Sequence, residues 1–254
     1  MHSDPRYGNS IMYFETAPPP KGGMLYFGAA YTVRRREAGA IPAPRPDDTV
    51  FLKPERLVPT SGRILELARQ VTQGKTSDLE KARAIYDFVT SYMTYDKTAA
   101  GWGRGDALRA CEVRKGNCTD FHALLIGMAR AAGIPARFKI GFPLPADAQS
   151  GEVAGYHCWA ELYIDGMVWL PVDSSEAFKH PELKDYYFGK LDANRVELTT
   201  GRDLLLSPAQ AGPRLNYFIY PYVEVDGKPY SAVKHAFRFD PVTQTAATNS
   251  DPDS

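Results

Sequence analysis

Three residue types that together perform acyl transfer occur in the order cysteine, histidine, aspartate: Cys118, His157 and Asp173. Asn117 is a good N-cap and Asp120 would be the third helical residue, so Cys118 falls in the first turn of a helix. There, unsatisfied amides and the positive end of the helix dipole favour an anion, which lowers a thiol pKa and makes a nucleophile. An isolated cysteine is more often a small buried hydrophobe, so the weight rests on what the chain brings beside it.

The segment HCWAELYIDGMVWLPVD sets Asp165 and Gly166 between two strand-like runs, a hairpin signature with two registers. A turn of Asp165 and Gly166 alone places Asp173 opposite Cys158 and mixes Trp169 and Asp173 with Ala160 and Leu162 on one face. A loop of Ile164, Asp165 and Gly166, closed by glycine in the left-handed conformation, places His157 opposite Asp173. One face then holds Cys158, Ala160, Leu162, Val168, Leu170 and Val172. The other holds His157, Trp159, Glu161, Tyr163, Trp169 and Asp173. The apolar alternation selects this second register, in which imidazole and carboxylate are cross-strand neighbours. A thiolate that attacks a carbonyl, an imidazolium that protonates the leaving amine and a carboxylate that orients the ring are the parts of a thiol acyl-transfer site.

These residues lie in RKGNCTDFHALLIGMARAAGIPAR, GYHCWAEL and WLPVDSS, and through them the chain resembles the transglutaminase-like superfamily, in its bacterial-type form. The resemblance covers roughly residues 61–206 and implies the papain-like architecture: an α+β fold with the nucleophile at a helix N-terminus packed on an antiparallel sheet. It implies Cys118 as nucleophile, His157 as general base and acid, and Asp173 as the residue that orients the imidazole. Oxyanion stabilisation would come from the Cys118 amide and an upstream side-chain donor, for which Trp102 and Tyr95 are both candidates. Either aromatic could equally be a wall of the cleft.

The elements that must position these groups follow from periodicity. Ile64, Leu65, Ala68 and Val71 recur at helical spacing, and a second helix opens with the capping box Ser77 and Glu80. A short helix is expected at 106–112. The third long helix runs from Cys118 to a stop at Gly133 and Pro135. Strands are expected at 136–142, 157–164 and 167–173. Outside this core, Leu25, Phe27, Tyr31 and Val33 alternate as in a half-buried strand, with Met12 to Phe14 as a partner. Pro42, Pro44, Pro46, Pro54 and Pro59 deny the next stretch regular structure. Strand-like runs at 217–225 and 232–239 flank a turn at Asp226 and Gly227. The chain thus divides into an N-terminal β segment (1–45), a proline-rich linker (46–60), the catalytic core (61–206), a C-terminal β segment packing on it (207–242) and a disordered tail (243–254).

Composition excludes several functions. Across 254 residues, 30 Lys and Arg balance 30 Asp and Glu, so no global field captures nucleic acid or an anionic membrane. No apolar run is long enough to span a bilayer, and the first twenty residues lack the apolar stretch of a signal peptide, although a mature exported or periplasmic protein is favoured over a cytoplasmic one. His122 lies four residues after Cys118, a spacing two metal ligands can share. The chosen hairpin register, however, turns Cys158 away from His157, so no metal is expected and His122 is read as a packing or supporting residue. Gly101, Gly103 and Gly105 lack the GK[ST] ending of a phosphate loop and read as a mobile wall of the cleft. No cofactor is expected. The expected function is a cysteine protease or amidase acting on a protein or peptide through an acyl-enzyme. Protein-glutamine transamidation and a non-enzymatic peptide-binding module are the alternatives, and the oligomeric state is left open.

Overall fold

The computed structural model describes residues 1–165 and 168–242. Its centre is a helix that is buried nearly all round. Helix α4 (Cys118–Ala131) buries every residue from Cys118 to Arg130, and its run of Phe121, Leu124, Leu125, Ile126 and Met128 leaves no polar face to turn to solvent. The three helices before it pack on it: α1 (Arg63–Val71), α2 (Asp78–Tyr92) and α3 (Ala107–Val113). The Ser77 and Glu80 capping box starts α2 as expected. Gly133 follows α4 with φ of +85°, a backbone state that L side chains rarely adopt.

On its other side α4 packs against an antiparallel sheet of five strands: β1 (Ile41–Pro42), β2 (Ala136–Pro143), β3 (His157–Ile164), β4 (Val168–Val172) and β5 (Arg195–Thr200). Their spatial order is β5-β2-β3-β4-β1. Central β3 is buried on both faces. One face meets α4. The other is covered by the N-terminal chain: Tyr163 donates its hydroxyl to the Ala43 carbonyl at 2.9 Å, and Phe51 packs edge-on against Trp169 at 5.2 Å.

The hairpin differs from expectation in register. Ile164 pairs with Val168 and Leu162 with Leu170, leaving residues 165–167 between the paired ends. Of that loop, Asp165 has φ of +51°, and the glycine expected to close it, Gly166, lies outside the described residues. The assignment of side chains to faces survives, because a slip of two residues preserves the pleat. Alternation therefore cannot distinguish these two registers. Ile164 keeps a strand partner and stays buried instead of being spent in the loop.

The flanks are less regular than their sequence suggests. Residues 25–33 form no strand, and both sets of the alternation are solvent-exposed, Leu25 and Phe27 as well as Tyr26. Strand hydrogen bonding in the first 45 residues is confined to His2–Ser3 with Ser10–Ile11, a single antiparallel bridge of Ala38 with Leu191, and β1. Within the proline-rich stretch Asp47 caps a single helical turn, Asp48–Phe51, and Val58 is fully buried. The runs at 217–225 and 232–239 shrink to two-residue ladders: Glu224–Val225 with Lys228–Pro229 across the Asp226 and Gly227 turn, and Arg238–Phe239 with Gly151–Glu152. Aromatic side chains tie this region to the core, with Phe237 4.4 Å from Phe142 and Tyr217 6.4 Å from Phe138 between ring centroids. The tail at 243–254 lies outside the described residues.

Candidate active site

Cys118 is the first residue of α4, preceded by a complete capping box. Asn117 Oδ1 accepts the Thr119 amide at 3.0 Å, and Asp120 Oδ2 accepts the Asn117 amide at 3.0 Å. The Asp120 carboxylate also accepts the amides of Gly103 (2.7 Å) and Gly105 (3.0 Å). The glycine loop is therefore a wall pinned to the helix start, where a mobile one was expected. Burial raises the Asp120 pKa despite these three donors. Gly116 lies under the same carboxylate, and a Cβ there would sit 2.2 Å from Asp120 Oδ2.

His157 is the first residue of β3, and its Nε2 lies 2.6 Å from Asp173 Oδ2. The ring's Nδ1 is left for the thiol. Asp173 reaches the imidazole from a different element than expected. Strand β4 ends at Val172, and Asp173 is the N-cap of helix α5 (Ser174–Lys179), its Oδ1 accepting the Glu176 amide and the Ser175 hydroxyl, each at 2.9 Å. Arg195 of β5 donates Nη1 to Asp173 Oδ2 at 2.9 Å and pairs through Nη2 with Asp192. The carboxylate is fully buried and every lone-pair direction is occupied, so its orientation is set before any substrate arrives.

The electrostatics follow from burial working against charge. Burial alone would raise the Asp173 pKa, but the His157 charge and hydrogen bond and the Arg195 guanidinium hold it well below the usual carboxylate range. Burial alone would lower that of His157, but the Asp173 charge outweighs it and brings the imidazole to about 10. Burial also opposes ionisation of Cys118. A hydrogen bond from Cys158, then the hydrogen bond and positive charge of His157, reverse this and hold the thiol well below its ordinary value. Both shifts favour a thiolate beside an imidazolium.

His122, one turn along α4, supports the site from behind. Its Nε2 accepts the Ser174 amide at 3.2 Å, so its proton sits on Nδ1 and is donated to the Cys118 carbonyl at 2.7 Å. Burial lowers its pKa and keeps it neutral. Cys158 corrects an expectation. It does face α4, yet its Sγ lies 3.2 Å from Cys118 Sγ and 3.2 Å from Thr119 Oγ1. His157, at the strand's first position, reaches the thiol from the strand end while Cys158 reaches it from the strand face. Among the described residues, no three His, Cys, Asp or Glu side chains converge as a metal site.

The two expected oxyanion donors diverge. Tyr95 is half-buried, with its ring 6.2 Å from that of Phe121 on α4 and the Lys179 ammonium 4.2 Å over its face, and burial and then the Cys118 charge raise its phenol pKa. Trp102 is 40% exposed on the pinned loop.

Comparison with known proteins bears on the family and the fold. Residues 65–174 match the transglutaminase-like superfamily. That segment, which holds Cys118, His157 and Asp173, is a transglutaminase-like core. An uncharacterized protein of Haemophilus influenzae is 32% identical over 227 residues, covering 76% of this chain and 62% of the relative. The kyphoscoliosis peptidase of Mus musculus is 30% identical over 116 residues, covering 43% of this chain and 17% of the peptidase. The chain thus spans less than two thirds of the length of either. A solved structure from Cytophaga hutchinsonii, described as a candidate cysteine protease, shares the fold with a TM-score of 0.51 at 22% identity, covering 78% of this chain and 57% of that one.

Arg195 and the contact of Cys158 with Cys118 escaped sequence reasoning. β5 reads as a polar, unremarkable run, and a sulfur contact between helix and strand leaves no local pattern.

Proposed function

We propose that the transglutaminase-like core is a thiol acyl-transfer enzyme that opens amide bonds in a protein or peptide, with water resolving the acyl-enzyme, as a cysteine protease or amidase does. The observation that carries this reading is the 2.6 Å contact between His157 Nε2 and a saturated Asp173, with the other ring nitrogen left for Cys118. The Cys118 thiolate attacks the carbonyl carbon, and the carbonyl π pair moves onto oxygen. The Cys118 amide, ahead of the intrahelical hydrogen-bond ladder, donates to that oxyanion, a contact worth about 2.7–4 kcal/mol. Tyr95 is the candidate second donor, because it packs against Phe121 of the helix that carries Cys118 whereas Trp102 stands partly in solvent. His157 Nδ1–H then protonates the leaving amine as the C–N bond breaks. The neutral ring next removes a proton from water, whose oxygen attacks the thioester, and Cys118 departs as thiolate.

The deciding experiment maps iodoacetamide labelling by mass spectrometry near pH 6, followed by a peptide screen with and without an amine acceptor. Selective labelling of Cys118 that is lost in His157→Ala, together with peptide hydrolysis, supports the reading. Amine incorporation in place of hydrolysis makes the protein a transamidase. Cys118 labelling no faster than Cys111 or Cys158 leaves a peptide-binding module on the same fold.

A further inference from the structure

Cys158 has no part in the acyl-transfer steps, yet it sits against the nucleophile. Both sulfurs are buried, Cys118 at 2% and Cys158 at 0% exposure, and both are free thiols 3.2 Å apart. A disulfide needs about 2.05 Å. The missing distance of roughly 1.2 Å is within reach of a small side-chain rotation at the helix start. The third cysteine, Cys111, belongs to helix α3.

The chemistry of the two thiols is complementary. The Cys158 hydrogen bond and then His157 lower the Cys118 pKa, whereas burial and then the hydrogen bond to Cys118 and its charge raise that of Cys158. An electrophilic oxidant therefore meets one nucleophilic sulfur, with a protonated partner at its side. Thr119 Oγ1 holds the Cys158 sulfur from the other direction at 3.2 Å.

We propose that Cys118 and Cys158 form an oxidant-modifiable dithiol, in which peroxide converts the nucleophile to a reversible disulfide with its strand neighbour. The proposal rests on the reading of Cys118 as an activated thiolate and not on peptide cleavage. In the first step the Cys118 thiolate attacks a peroxide oxygen. The O–O bond breaks, a proton is taken up, and Cys118 sulfenic acid and water (or an alcohol) form. In the second step the Cys158 sulfur attacks the sulfenic sulfur, the S–O bond breaks, and hydroxide leaves with the Cys158 proton as water. Two electrons pass from the two sulfurs to the peroxide. An exogenous dithiol reverses the modification by exchange, and the disulfide spares Cys118 from irreversible sulfinic acid.

The test treats the full chain with hydrogen peroxide at neutral pH and reads intact mass and peptide maps, in wild type, Cys158→Ser, Cys158→Ala and Cys111→Ser. Circular dichroism checks that each variant is folded. The expected wild-type product loses about 2 Da, yields a cross-linked peptide containing Cys118 and Cys158, and regains Cys118 alkylation after dithiothreitol. Cys111→Ser behaves as wild type. Both Cys158 variants instead gain about 32 Da at Cys118, and dithiothreitol does not restore them. If wild type accumulates sulfinic acid as fast as the Cys158 variants with no cross-linked peptide, the dithiol is refuted while an alkylatable Cys118 leaves the enzyme reading standing. If Cys118 neither oxidises nor alkylates faster than Cys111, both readings fall together.

Discussion

The two ends of helix α4 each carry a buried charge cluster, and the clusters differ in what their protons can do. Near the C-terminal end, Arg130 donates to Glu55 at 3.1 Å, to the Ala136 carbonyl and to the Lys53 carbonyl, while Tyr7 donates to the same Glu55 oxygen at 2.8 Å. Burial would raise the Glu55 pKa, but the Arg130 charge brings it below its ordinary value. A guanidinium does not give up its proton, so this cluster is a fixed staple between the N-terminal chain and the core. At the N-terminal end, Asp173 is held just as firmly by Arg195, the Ser175 hydroxyl and the Glu176 amide, but its remaining partner is an imidazole facing a thiol. Chemistry requires one saturated side to hold the geometry and one titratable side to move a proton.

Substitutions should separate the two clusters. Cys118→Ala is expected to abolish acyl transfer, by at least about 10⁴-fold, with an unchanged thermal midpoint. Turnover of a cleaved peptide and a melting curve check both halves. Asp173→Asn is expected to lower turnover by about 10³–10⁴-fold and also to lower the melting temperature, because Arg195 and His157 lose their buried counter-charge. Equal Tm values for this variant and wild type would break the comparison.

Arg130→Met should do the reverse. It strands Glu55 without a counter-charge, so a denaturation curve should show a loss of about 3–5 kcal/mol, while Cys118 alkylation per folded molecule stays at the wild-type rate. A Glu55→Gln and Arg130→Met double variant should recover most of that stability. Arg195→Lys keeps the charge but not the fork that joins Asp173 to Asp192. A loss of about 1.5–3 kcal/mol of orienting interaction corresponds to a roughly ten- to 150-fold fall in kcat with KM unchanged.

The smallest change sharpens the comparison most. Because the thiol is held well below its ordinary value and His157 is raised to about 10, the ion pair persists from mildly acidic to mildly alkaline pH. Cys118 alkylation should vary by less than about threefold between pH 6 and 9, where a free thiol accelerates roughly 200-fold. The same shifts contribute to stability. The His157 contribution is complete below pH 6.5 and disappears as pH rises through about 10, while that of Asp173 is complete above 3.8 and disappears as pH falls through its depressed value.

Much of the core was legible because local rules and packing agree there. Ser77 with Glu80 and Asn117 with Asp120 are capping boxes in sequence and in structure, and the α4 run from Phe121 to Met128 can only be interior. The hairpin was legible to its faces but not to its register, since alternation has a period of two and a slip of two is silent to it. The alternation of Leu25, Phe27, Tyr31 and Val33 misled because no second surface covers those residues, and a strand pattern without a partner holds no strand.

Residue types and spacing alone placed Cys118 at a helix start, His157 on the following hairpin and Asp173 near it on the second strand, because capping and pleating are short-range constraints. Only the tertiary structure decided that Asp173 acts as the cap of α5, that Arg195 from an edge strand locks it, that Asp120 pins the glycine loop, and that Cys158 touches Cys118. The cap is local but competes with continuation of the strand, and the other three are contacts between separate elements, set by how helix, loop and sheet pack, which no periodicity within one element encodes.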